Sequence, residues 1–205
     1  MFYLFLTMKE IYLIRHAQTD YNKKGIIQGS EVDSEIDEEG IKQSKLFYDY
    51  YKNYNFEKIY ISNLKRTFLT VKEFINDGII YEKLSEFNEI SWGINKGKSD
   101  DLDVYKRLTD SWAEGNLNNK FKGGESPNEI AVRLNRGISH IINEKFNKIL
   151  ICIHGRALRV LLSLILDKDL TRMDNYLHSN TCLYVIHYDR GKFILKEKNN
   201  IDHLT

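Results

Sequence analysis

The chain has 205 residues, with 30 Lys and Arg against 29 Asp and Glu and a formal net charge of +1. A hydrophobic share of 42% and a charged share of 29% suit one folded domain over residues 1–205 and exclude global disorder and a structureless acidic tail. The even balance gives no support to a nucleic-acid binder that works by bulk electrostatics.

In chain order, Met1 to Thr7 is apolar but short, without a basic leader or a small-residue cleavage site. It is expected to be an N-terminal extension rather than a signal peptide. Ile11-Tyr12-Leu13-Ile14 reads as a buried strand that ends in Arg15-His16. A helical pattern follows with Leu46, Phe47, Tyr50 and Tyr51. Ile59-Tyr60-Ile61 is a second strand, leading through Ser62-Asn63-Leu64-Lys65 to Arg66. A helix carrying Leu64, Phe68, Val71 and Ile75 comes next. Ser126-Pro127-Asn128-Glu129 reads as an N-cap, a first-turn proline and a capping-box Glu. The helix it opens places Ile130, Leu134, Ile138, Ile141 and Ile142 on one stripe. Ile149-Leu150-Ile151-Cys152-Ile153 is a third buried strand, ending in His154-Gly155-Arg156 and followed by a Leu-rich helix over about 156–166. Cys182–Tyr188 and Phe193–Leu195 flank Asp189-Arg190-Gly191-Lys192 as an edge hairpin.

Strands alternating with amphipathic helices predict an α/β fold: a three-layer αβα arrangement, its central sheet mostly parallel and flanked by helices, with an antiparallel edge strand near the C-terminus. Two cysteines inside apolar runs make no disulfide framework and point to reduced, buried thiols in a cytoplasmic protein. No run of about 18 apolar residues is present, so no membrane span is expected.

Each buried run ends in residues suited to an anion. In an open parallel sheet, ligands bind beyond the carboxyl ends of the strands. If these three strands are parallel, Arg15, His16, Arg66 and His154 converge on one crevice. Arg and His side chains beside helix N-termini form a phosphoryl site, and a neutral imidazole can attack phosphorus. Arg carries particular weight here, because only nine of the 30 basic residues are Arg and Arg suits bidentate phosphate recognition. Either histidine alone would read as a polar residue at a strand end; the two together, with Arg nearby, favour function. No His-x-x-x-His or Cys-x-x-Cys pair supports a metal site, and no metal or other cofactor is expected.

Arg15-His16-Ala17-Gln18-Thr19 with Asn22 resembles the Arg-His-Gly-Glu-Thr signature of the histidine phosphatase superfamily, in its phosphoglycerate mutase-like branch. Gln28-Gly29, Ser62-Asn63-Leu64-Lys65-Arg66-Thr67, Asn88-Glu89-Ile90-Ser91-Trp92-Gly93, Gly123-Gly124-Glu125-Ser126 and Ile153-His154-Gly155 resemble further blocks of that family in the same order. The resemblance implies His16 as nucleophile, Arg15, Arg66 and His154 as holders of the phosphoryl oxygens, and Glu89 as the acid that protonates the leaving group and then activates water. Glu86 competes for that last role, but spacing to Gly93 favours Glu89. Asn22, Gln28, Gly29 and Gly155 are implied as substrate- or phosphate-binding.

Ala17, Gln18 and Asn63 depart from the family pattern. Lys96, after the acid segment, is expected to favour an anionic leaving group. The resemblance implies a metal-independent phosphatase acting on a small phosphoester through a phosphohistidine, with no nucleic-acid or membrane partner; a homodimer is compatible with the sequence. A phosphoglycerate mutase is the first alternative, disfavoured because no Arg pair follows the acid segment. A non-catalytic phosphate- or partner-binding protein is the second, disfavoured because binding alone requires no acid.

Overall fold

A computed structural model describes residues 8–95 and 102–205. The expected extension, Met1 to Thr7, and Lys96 lie outside the described residues. Six strands form one sheet in the order β3-β2-β4-β1-β5-β6. They are β1 (Lys9–Arg15), β2 (Lys58–Ile61), β3 (Tyr81–Lys83), β4 (Lys148–Ile153), β5 (Leu183–Asp189) and β6 (Lys192–Asn200). β1 to β4 pair in parallel, with Ile11 opposite Ile149 and Ile59 opposite Leu150. β5 and β6 run antiparallel to their neighbours. The hairpin turn places Arg190 at φ 47° and Gly191 at φ 80°, two left-handed residues that match the twist of the strands they join.

Side chains alternate across a strand, so the continuous apolar run of β1 serves both faces of the sheet. Ile11 and Leu13 join Ile149, Ile151, Tyr184 and Ile186 under α5 (Pro127–Asn143) and α6 (Gly155–Leu162). Tyr12 and Ile14 join Leu150, Cys152 and Ile61 under α2 (Glu38–Tyr51) and α3 (Lys65–Asn76). α1 (Asp20–Lys23) and α4 (Leu102–Ala113) complete the helices of the site region. Cys152 and Cys182 are free and buried.

The capping box at α5 forms as its sequence predicts. Glu129 N–H donates to Ser126 Oγ at 3.3 Å and Ser126 N–H to Glu129 Oε2 at 2.8 Å. Two expectations need correction. Of the four apolar residues expected in α2, Phe47 and Tyr51 are buried, while Leu46 and Tyr50 face solvent; residues four apart share a face, and their immediate neighbours point about 100° away. The Leu-rich helix is regular only to Leu162, after which Ser163–Asp167 widens into a π-turn closed by Lys168 at φ 56°.

Candidate active site

The carboxyl ends of β1, β2 and β4 meet at one edge of the sheet, where His16 N–H bonds the Ile153 carbonyl at 2.9 Å. The cavity there has a volume of about 150 Å³, and Arg15, His16, Asn22, Gln28, Arg66, Glu89 and Gly155 line it. The convergence expected from three strand ends is present.

His16 is buried, and its Nδ1–H donates to the Ala17 carbonyl at 2.8 Å. That bond fixes the tautomer and leaves Nε2 with its lone pair. Burial, then the Arg66 and Arg15 charges, hold the His16 pKa well below its ordinary value. The ring is therefore held neutral, with Nε2 as its unprotonated nitrogen.

Arg66 is fully buried and stands on three acceptors. Its Nε–H donates to His154 Nδ1 at 3.1 Å, Nη1 to the Val32 carbonyl at 2.6 Å and Nη2 to the Gly29 carbonyl at 3.3 Å. Burial lowers its pKa to about 10, so it stays charged. A guanidinium has five N–H donors, and two remain beyond these contacts. Arg15 donates from Nη1 to the His178 carbonyl, while its buried Nε has no hydrogen-bond partner among the described residues.

Arg66 can only donate, so His154 Nδ1 accepts and His154 Nε2–H donates to Ser62 Oγ at 2.8 Å. Burial, then Arg66, keeps this ring neutral as well. His154 thus meets the pocket through Arg66 and through the His16 ring, 5.1 Å away between centroids, rather than through a free N–H of its own. Gly29 likewise stands behind the cavity wall as an acceptor for Arg66. Gly155 opens α6 on the pocket wall, where an added Cβ would come within 2.7 Å of His178 Cδ2.

Of the two competing carboxylates, Glu89 is in the cavity and Glu86 is not. Glu89 Oε1 accepts from Ile90 N–H at 2.8 Å and Ala157 N–H at 3.0 Å; among the described residues Oε2 accepts only from Arg156 N–H, at 3.0 Å. The carboxylate caps α6 from outside the helix, a favourable place for negative charge. Its segment is gripped by Arg133 of α5, which donates to the carbonyls of Glu86, Asn88 and Glu89 at 2.8, 2.7 and 3.0 Å. The remaining donors of Arg133 hold Glu125 at 2.8 and 2.9 Å.

Asn22 and Gln28 are set by a small network. Asn22 Oδ1 accepts from Thr19 N–H at 3.3 Å and Asn180 Nδ2 at 3.2 Å. Gln28 Nε2 donates to Thr19 Oγ1 at 2.5 Å. Asn180 also donates to the His16 carbonyl at 3.0 Å, and it precedes Thr181, a β-branched residue at φ 54°. Such backbone is costly and marks a position held by its surroundings; here Thr181 Oγ1 bonds buried His203 Nε2 at 3.0 Å.

Sequence reasoning missed part of the wall: Ile26, Ile27, Trp92, Tyr105, Arg156 and His178. On α4, Trp112 is fully buried, whereas Tyr105 lines the cavity. Elsewhere, His140, Glu82 and Glu144 place ligand atoms within 4.8 Å of one another. Lys58 Nζ already bridges those carboxylates, at 2.6 Å from Glu82 and 3.2 Å from Glu144.

The chain matches the family model for the histidine phosphatase superfamily (branch 1) over residues 11–201, and it belongs to that family, as a phosphatase of this branch. It is similar to the putative phosphoserine phosphatase 2 of Hydrogenobacter thermophilus, 26% identical over 96% of this chain and 98% of that one. A broad-specificity phosphatase of Saccharomyces cerevisiae is also 26% identical, over 95% and 86%. The fold matches the crystal structure of a putative alpha-ribazole-5'-P phosphatase from Escherichia coli with a TM-score of 0.82, at 20% identity over 94% and 96% of the chains.

Proposed function

We propose that the protein hydrolyses a small phosphomonoester through a phosphohistidine on His16. The observation that carries this reading is the neutral, tautomer-fixed His16 ring beside a cavity lined by buried Arg66 and half-buried Arg15. Nε2 attacks phosphorus as the bond to the ester oxygen breaks. Glu89 gives its proton to that oxygen and the alcohol leaves. Both lone-pair directions of Oε1 are taken by N–H groups, so the proton is assigned to Oε2. Water then attacks the phosphohistidine, Glu89 takes back a proton, and the N–P bond breaks to release phosphate.

Arg66 and Arg15 supply the positive charge that the spreading negative charge of the transferring group needs. Pinned on protein carbonyls, Arg66 requires no reorganisation during the step. Asn22 adds an amide donor to the oxygens. His154 fixes Arg66, and its own N–H reaches the phosphoryl group only by leaving Ser62. The mutase alternative differs in the acceptor alone, another substrate hydroxyl in place of water.

The test is brief incubation with 3-phosphoglycerate and p-nitrophenyl phosphate, followed by assay of free phosphate and of an acid-labile phosphoprotein. Both signals are expected, and His16→Ala is expected to abolish them. Phosphate release retained in His16→Ala would show a different nucleophile. An isomerised phosphoester without phosphate release would identify a mutase.

A further inference from the structure

The segment that leads into β5 runs beside the end of β1. His178 gives its carbonyl to Arg15 Nη1. Thr181 N–H donates to the Arg15 carbonyl at 3.1 Å, and Arg15 N–H to the Cys182 carbonyl at 3.2 Å. Asn180 stands among these contacts without lining the cavity itself. Its backbone is held from both sides. Thr181 is fixed at φ 54°, which a β-branched residue adopts only under constraint. The Thr181 hydroxyl donates to the Asn180 carbonyl at 2.8 Å, so the same oxygen accepts from His203 Nε2–H at 3.0 Å. The C-terminal turn Asp202–Leu204 thereby buttresses Asn180.

The partners of Asn180 settle which way two side-chain amides point. A backbone carbonyl only accepts, so the Asn180 atom 3.0 Å from the His16 carbonyl is Nδ2. A backbone N–H only donates, so the Asn22 atom 3.3 Å from the Thr19 nitrogen is Oδ1. The 3.2 Å contact between the two amides is then a donor meeting an acceptor, Asn180 Nδ2 to Asn22 Oδ1. With Oδ1 committed to Asn180 and Thr19, Asn22 turns its Nδ2 to the cavity it lines. Reversed, the same side chain would set an oxygen of partial negative charge against the phosphoryl oxygens. The Thr19 bond lies just beyond the usual ~2.7–3.2 Å range, so Asn180 supplies the better of the two restraints.

Resting on the phosphomonoesterase reading above, we propose that Asn180 is a positioning residue for phosphoryl transfer. It fixes the polarity of the Asn22 amide, so that a donor and not an acceptor faces the transferring group. Both N–H groups of its Nδ2 are in use, one on the His16 carbonyl and one on Asn22. One amide therefore ties the backbone of the proposed nucleophile to a donor that meets the same phosphoryl group, and neither can shift without the other.

A double-substitution cycle tests this, with Asn180→Ala, Asn22→Ala and the two combined. It is read as kcat/KM on p-nitrophenyl phosphate and as the dissociation constant of inorganic phosphate. Asn180→Ala is expected to lower kcat/KM by roughly 10-fold, the loss of one hydrogen bond to a charged group, and to weaken phosphate binding. In the Asn22→Ala background the same substitution is expected to cost no more than about twofold, because losses at residues that act through one another do not add. Asn180→Leu, close in volume to Asn, takes its place in the cycle if the alanine variant does not fold. Wild-type kcat/KM in the folded Asn180 variant, or equal losses with and without Asn22, would overturn the positioning role and leave hydrolysis standing, since a merely structural residue weakens both backgrounds alike. No turnover of p-nitrophenyl phosphate or 3-phosphoglycerate by the wild type would instead overturn the phosphomonoesterase reading, and the phosphate-binding cycle would then still decide the role of Asn180.

Discussion

Replacing Arg133 with Gln separates the job of holding the proposed acid, Glu89, from the job of holding the fold. All five N–H donors of Arg133 are in use: three on the carbonyls of Glu86, Asn88 and Glu89 and two on Glu125. Its side chain is 13% exposed and that of Glu125 25%. Gln keeps at most two donors and no charge, leaving Glu125 and at least one carbonyl short of partners. Breaking a largely buried pair in this way costs about 3 kcal/mol, near the lower end for such pairs. At this chain length that is a fall in Tm of roughly 6–12 °C.

The effect on catalysis has a different signature. A positioned general acid contributes about 10²–10⁴-fold, and only where the leaving group needs a proton. Glu89 keeps its three N–H donors in the variant and loses the grip on its backbone, so a loss of roughly 10-fold in kcat/KM on alkyl phosphates is expected. p-Nitrophenolate departs without protonation, and its kcat/KM should change little. This quantity reports events only through phosphoryl transfer to His16, so the later role of Glu89 with water does not obscure the comparison. The assay is kcat/KM for one alkyl and one aryl phosphate in both proteins below the lower Tm. Equal losses on both esters would refute the positioning argument and leave Arg133 a purely structural residue.

Arg66→Lys is expected to cost about 100-fold or more in turnover, because one ammonium cannot serve Val32, Gly29 and His154 and still offer two donors to the phosphoryl group; steady-state kinetics with thermal denaturation checks it. Stability should fall as pH drops from 6.5 toward about 4 through His203, whose pKa burial lowers to about 4. The ring is neutral in both states above pH 6.5. Below it, the unfolded chain takes up a proton that the folded one refuses, which removes roughly 3 kcal/mol by pH 4. Urea denaturation at several pH values should show a shallower acid limb in His203→Gln. Ser126→Ala removes the α5 N-cap and is expected to cost about 1 kcal/mol, read as a fall in Tm of roughly 2–4 °C.

The three strands that build the site were legible because each is a continuous apolar run that ends abruptly in Arg or His. Glu89 was legible against Glu86 through its spacing to Gly93. β3 was not, because Tyr81-Glu82-Lys83 lies at the sheet edge with no fully buried residue and carries no hydrophobic signal. Arg156 stood in view beside His154 and Gly155, but its direction depends on Trp112, Asp174 and Tyr105, which come together only in three dimensions. Arg133 was hidden for a related reason. It lies off the apolar stripe of α5, where a charged residue ordinarily meets water, and here it meets three carbonyls from a loop more than 40 residues earlier.

β1 lies between β4 and β5, with both of its hydrogen-bonding edges occupied and core on both faces. Such a strand opens only when the whole sheet opens, so its amides should be among the slowest to exchange with solvent. His16 directly follows this strand, tied to β4 through the Ile153 carbonyl. The proposed nucleophile therefore shares the lifetime of the central sheet. On heating, its capacity to be phosphorylated should persist until the molecule as a whole unfolds.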